Sequence, residues 1–139
     1  MLHVCDAPDG KTWFRLENDI EAEQESELMG HAVAKHFLRE MKTAQESFKP
    51  ASPVSFEGNI GRDAHIQREM PLFVTLRNQN GEALVTAMLP PGGRPNTSVK
   101  SMVVGPKNAD PYPEHEAAIQ ALADHFGLTL DRANCFPYG

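Results

Sequence analysis

Hydrophobic and polar positions alternate most clearly over residues 72–89, LFVTLRNQNGEALVTAML. The alternation predicts two strands folded about Asn80-Gly81, a dipeptide suited to the paired positive φ angles of a type I′ turn. That fold pairs Leu76 with Val85, Val74 with Ala87 and Leu72 with Leu89, all apolar and all on one face. The opposite face carries Arg77/Leu84, Thr75/Thr86 and Phe73/Met88, a mixed set. A slip of one residue would exchange the two sets, so the pattern specifies its own register.

The same reasoning extends along the chain. Residues 2–17 predict a first hairpin: Thr12-Trp13-Phe14-Arg15-Leu16 is rich in strand formers, and Ala7-Pro8-Asp9-Gly10 supplies the turn. A long helix is then expected to residue 48, capped by Asn18 with Glu21 as its capping-box partner. Met29, Val33, Phe37, Met41, Ala44 and Phe48 recur at three- and four-residue steps as one buried stripe. Gly30 is a weak point within it, and Lys49-Pro50 ends it. Residues 50–71 carry a short candidate strand at Val54-Ser55-Phe56 and an ambiguous segment from Ile60 to Met70, helical or irregular.

Residues 90–96, PPGGRPN, predict an exposed loop, and residues 99–104 a further strand. A last helix opens near Pro113 and stops at Gly127, burying Ala118, Ile119, Leu122 and Phe126. Leu128, Leu130 and Phe136 in the tail are expected to fold back on the body. The order β-β-α-(β)-β-β-β-α predicts a single α+β domain over residues 1–139. Its antiparallel sheet has about five strands, with one long and one shorter helix largely on one face.

Composition narrows the classes. A hydrophobic fraction of 40% suits one packed core, and no apolar run approaches the roughly 20 residues of a membrane span. No basic segment precedes an apolar one at the N-terminus, so a cytoplasmic protein is expected. Cys5 and Cys135 form no metal-type pair and read as two reduced thiols. The net charge of −6 argues against nucleic acid. Between Glu57 and Lys107, however, six basic residues face four acidic ones, which permits an anionic ligand. The acidic run from Glu17 to Glu27 is explained by the positive end of a helix dipole.

Candidate chemistry is sparse. On one continuous helix His31 and His36 point about 140° apart at roughly 100° per residue, wrong for a shared metal. His115-Glu116 does not continue to a second histidine four residues on. Cys5 has His3 nearby as a base, but Asp6 would raise the thiol pKa. The densest constellation is Arg62, His65 and Arg68, at helical three-residue steps, with Arg94 on the Pro-Gly loop. Such a group suits a carboxylate or phosphate.

These observations support a binding or assembly domain with no evident catalytic constellation, no metal and no cofactor. The rival is a small enzyme or anion-binding protein using Arg62, His65 and Arg94. Leu28 and Leu38 fall outside the helical stripe, which points to a homodimer built partly on that helix.

Overall fold

The hairpin of residues 72–89 forms with the register its pattern dictates. Strand β3 (Leu72–Arg77) pairs antiparallel with β4 (Ala83–Leu89) through Leu72↔Leu89, Val74↔Ala87 and Leu76↔Val85. The turn differs from expectation. Asn78 N–H donates to the Glu82 carbonyl and Gly81 N–H to the Asn78 carbonyl, which leaves a three-residue loop. Only Gly81 of the pair takes a positive φ, 79°. The Asn78 side chain fixes this form by accepting from the N–H groups of Asn80 and Glu82, both at 3.0 Å. The register shifts after Leu76, so Arg77 lies opposite Ala83 and not Leu84.

The computed structural model describes residues 1–48, 56–95 and 99–138. Strands β1 (Leu2–Ala7) and β2 (Lys11–Arg15) form the expected first hairpin, with a bulge between His3 and Cys5. β2 joins β3, and the short strand β5 (Met102–Val104) joins β4. The result is a five-stranded antiparallel sheet in the order β1-β2-β3-β4-β5, and the architecture is α+β. β5 is shorter than predicted, because residues 99–101 do not pair. The outer side of β5 is met by the tail instead. Phe136 N–H donates to the Ser101 carbonyl and Val103 N–H to the Phe136 carbonyl.

Among the described residues there are four α-helices where two were expected: α1 (Asp19–Met29), α2 (Val33–Glu46), α3 (Phe56–Glu69) and α4 (Tyr112–Phe126). The predicted long helix is α1 and α2. Gly30 breaks it by adopting the left-handed conformation, φ 65° and ψ 40°, with its N–H on the Ser26 carbonyl. The Ser26 hydroxyl then accepts from Ala34 N–H at 2.8 Å and closes the hinge. Met29, Val33, Phe37 and Ala44 are buried as the stripe predicts, but by two segments that fold onto each other. Asn18 caps α1, accepting from Glu21 N–H at 2.9 Å, while the Glu21 carboxylate reaches back to Glu17 N–H. The candidate strand at 54–56 is not formed at Phe56, which opens α3, and its first two residues lie outside the described residues.

Helices cover both faces of the sheet, where they were expected largely on one, because both sets of alternating side chains on the central strands are buried. α1, α2 and α3 lie on one, where Val33, Phe37, Ala44, Ile66 and Met70 pack with Phe73 and Leu16. α4 lies on the other. Ala118, Ile119 and Leu122 pack there on Trp13, Val74, Leu76, Val85 and Ala87, and Trp13 donates its indole N–H to the Ala118 carbonyl at 2.8 Å. Leu130 folds back as expected, but the Phe136 ring stays 55% exposed. The Pro-Gly segment is less exposed than predicted: Pro90 and Gly93 are buried around a 3-10 turn, Pro91–Gly93. No helix among the described residues is long and apolar enough to cross a membrane.

Candidate functional site

At its centre the mixed face of the hairpin is as dry as the apolar one, although Arg77, Leu84 and Met88 are only partly buried. Thr75 and Thr86, paired across β3 and β4, are both fully buried. α1 lowers Glu25 onto them. Its position follows from spacing, since Ala22, Glu25 and Met29 form the inner stripe of α1. A fully buried carboxylate needs charged or hydrogen-bonding partners. Glu25 has both kinds. Arg77 Nη2 donates to Oε1 at 2.6 Å, and the Thr86 hydroxyl donates to Oε2 at 2.5 Å. The same guanidinium donates through Nε to Thr75 Oγ1 at 3.1 Å and through Nη1 to the Gly81 carbonyl at 3.2 Å.

His31 extends this chain. Its Nε2 lies 2.8 Å from Thr86 Oγ1. The single proton of that hydroxyl is committed to Glu25, so the imidazole must be the donor and Nε2 carries the proton. Nδ1 then accepts from Val33 N–H, at 3.4 Å. Protonating Nδ1 would set two N–H groups against each other. Burial also disfavours the imidazolium and holds His31 below the ordinary histidine range. The chain His31→Thr86→Glu25←Arg77 therefore fixes one neutral tautomer of one ring.

That ring lines a cavity of about 270 Å³. Val33, Met102, Val104, Phe136 and Pro137 supply apolar walls, and His36 and Asn108 supply polar ones. His36 is held below its ordinary range by burial and then by Arg39. Arg39 Nη2 lies 2.9 Å from His36 Nδ1 and can only donate, so the ring's own proton is on Nε2. The two histidines share one cavity because the helix breaks at Gly30; the 140° separation holds only for a continuous helix. A larger cleft of about 480 Å³ lies between the start of α4 and residues 130–133, but the one cation in its lining, Arg132, is already paired, Nη2 to Asp110 Oδ2 at 3.0 Å. Among the described residues no group of three or more His, Cys, Asp or Glu side chains is placed to hold a metal ion.

The basic constellation lies elsewhere. Residues 62–68 are helical, so Arg62, His65 and Arg68 do recur at three-residue steps along α3. Arg62, Arg68 and Arg94 are exposed. His65 is half-buried, 2.8 Å from the Ser47 hydroxyl and against the Phe48 ring. The turn Pro91–Gly93 packs on α3, which brings the loop of Arg94 toward that helix. Both cysteines are free. Cys5 is half-buried, its thiol pushed up by burial and then by Asp6, and Cys135 is fully buried and pushed up by burial. No protein-family model matches the chain, and neither the curated proteins nor the solved structures compared with it give a match.

Proposed function

We propose that this domain is a cytoplasmic binding module whose ligand seat is the cavity beside His31. The reading rests on one observation: an apolar cavity has as one wall a ring whose two nitrogens are both held inside the protein, by Thr86 and by Val33 N–H, so its carbon face is fixed and the polar contacts are left to His36 and Asn108. Apolar walls with a few oriented polar groups are the usual make-up of small-molecule sites. At about 270 Å³ the seat falls just below the small end of their range, about 300 Å³. The His36 Nε2–H and the Asn108 amide offer donors, so the ligand is a small molecule with a short apolar body and one hydrogen-bond acceptor, a carbonyl or carboxylate. Two unpaired thiols suit a reducing compartment.

The test is an NMR titration with short branched amides and carboxylates. Shifts are expected in the methyl signals of Val33, Met102 and Val104 and in the His36 ring. They are expected to vanish in Ala32→Trp, which fills the cavity from an exposed position and leaves the fold intact. Shifts spread over the surface, or unchanged in that variant, would reject the seat. The packing of the turn Pro91–Gly93 on α3 favours a second reading, a small-anion site formed by Arg62, His65, Arg68 and Arg94. Phosphate titration at low salt tests it; an unshifted melting temperature would reject it.

A further inference from the structure

The outer faces of α1 and α2 carry complementary patterns. Ile20, Glu23, Gln24, Glu27 and Leu28 are all exposed and follow the three- and four-residue steps of one helical face. Lys35, Leu38, Arg39, Lys42, Thr43 and Glu46 do the same on α2. The first stripe holds two carboxylates and no cation, and the second holds three cations and one carboxylate. Each also exposes aliphatic surface that the monomer leaves uncovered: Ile20 at 63%, Leu28 at 65% and Leu38 at 44%. Both helices press their inner faces on the same side of the sheet and pack on each other, so the two stripes form one surface. Among the described residues no ion pair joins the acidic stripe to the basic one.

We propose that this surface is a homodimer interface in which α1 of each copy packs on α2 of the other. A two-fold axis through the surface satisfies both stripes at once, because every contact is made twice. Glu23 and Glu27 of one copy then meet the Lys35, Arg39 and Lys42 face of the second, and Ile20 and Leu28, about 12 Å apart on α1, flank Leu38. Packing α1 on α1 instead would gather four carboxylates, which disfavours that alternative. At 1.5 Å per residue the helices are roughly 16 and 21 Å long, and side by side they span about 20 Å. That gives on the order of 400 Å² in projection per copy, about half of a standard interface. The dimer is therefore weak, and its charge pairing makes it sensitive to salt.

The test is sedimentation velocity on the full chain over a wide concentration range, at low and high salt. The expected result is a monomer–dimer equilibrium that shifts to monomer as salt rises. Glu23→Lys with Glu27→Lys makes both stripes positive, and Lys35→Glu with Lys42→Glu makes both negative. Each variant is expected to be monomeric alone. Mixed together they are expected to form a heterodimer, and the chain carrying all four substitutions to regain the homodimer. All four positions are exposed, so folding is preserved, and circular dichroism checks it. A native chain that is monomeric throughout would overturn the proposal. So would a dimer indifferent to both reversals.

Discussion

The two faces of the sheet solve the burial problem in opposite ways. Toward α4 the hairpin presents Leu72, Val74, Leu76, Val85, Ala87 and Leu89, and the helix answers with Ala118, Ile119 and Leu122. Toward α1 and α2 the same strands bury Thr75 and Thr86 beside Glu25 and Arg77. The apolar face holds mainly by area, with the Trp13 indole hydrogen bond fixing α4 on it, and tolerates exchange of one aliphatic side chain for another. The polar face holds only while every donor and acceptor is matched, and it fixes the orientation of His31 at a cavity. Both sides bury apolar side chains, Leu16, Val33, Phe37 and Phe73 among them toward α1 and α2, but the buried charged network lies on that side alone among the described residues.

A charge placed on the apolar face should have the largest effect. Val74→Asp puts an unpartnered carboxylate among fully buried aliphatics, and no folded protein is expected. A soluble variant with a cooperative melt would mean that this face is not the core. On the polar face the native charge is the one to remove. Glu25→Ala leaves Arg77 without its carboxylate, and a loss of about 3–5 kcal/mol is expected in denaturant melts. A loss below about 1 kcal/mol would show the network to be ornamental. The loop that joins the two strands should matter less. Gly81→Val forces a β-branched residue to φ 79° but meets nothing within 4 Å, so about 1–2 kcal/mol is expected. An unchanged midpoint would mean that Gly81 does not hold that conformation in solution.

The smallest effect is in the pH dependence. Burial holds His31, His36 and His115 below their ordinary range in the folded chain, with Arg39 adding to it at His36 and Lys11 at His115. Below about pH 6.5 the unfolded chain therefore binds more protons than the folded one. Stability is full above that pH and falls as pH drops from there through the folded-state values. The thermal midpoint is expected to be lower at about pH 5.5 than at about pH 7.5, and His31→Gln to flatten the slope. A midpoint that rises on acidification would reverse the sign of the argument.

Much of the apolar half is legible in the sequence. A period of two between Leu72 and Leu89, broken at Asn-Gly, leaves one register that buries a uniform face, and that register is the one observed. The loop is one residue longer than the Asn-Gly pair implies because the Asn78 side chain, and not Asn80-Gly81 alone, selects it. Gly30 was visible as a weak point, but local propensity does not say whether a helix bends or ends there. The polar half was hidden for a related reason. Glu25 lies in a run of acids explained by the helix dipole, and only its place beside Ala22 and Met29 separates it from its neighbours. Arg77 sits on the strand face that carries Phe73 and Thr75, a second signal of the same kind. A glutamate on an inner helix stripe and an arginine on a buried strand face are a pair worth seeking in a sequence. The sharing of a cavity by His31 and His36 depends on the break at Gly30, so no wheel drawn through both could reveal it.

The claim that the polar face sets His31 can be read directly from the nitrogen shifts of its ring. Long-range proton–nitrogen correlation spectra, recorded from about pH 8 down to about pH 5, report which nitrogen carries the proton and where the ring titrates. The expected spectrum has a protonated Nε2, an unprotonated Nδ1 and a midpoint below about 6.5, with the preference for that tautomer weakened in Thr86→Val, where only Val33 N–H still favours it. A proton on Nδ1, or a midpoint at or above 6.5, would mean that Glu25 and Thr86 do not hold this ring.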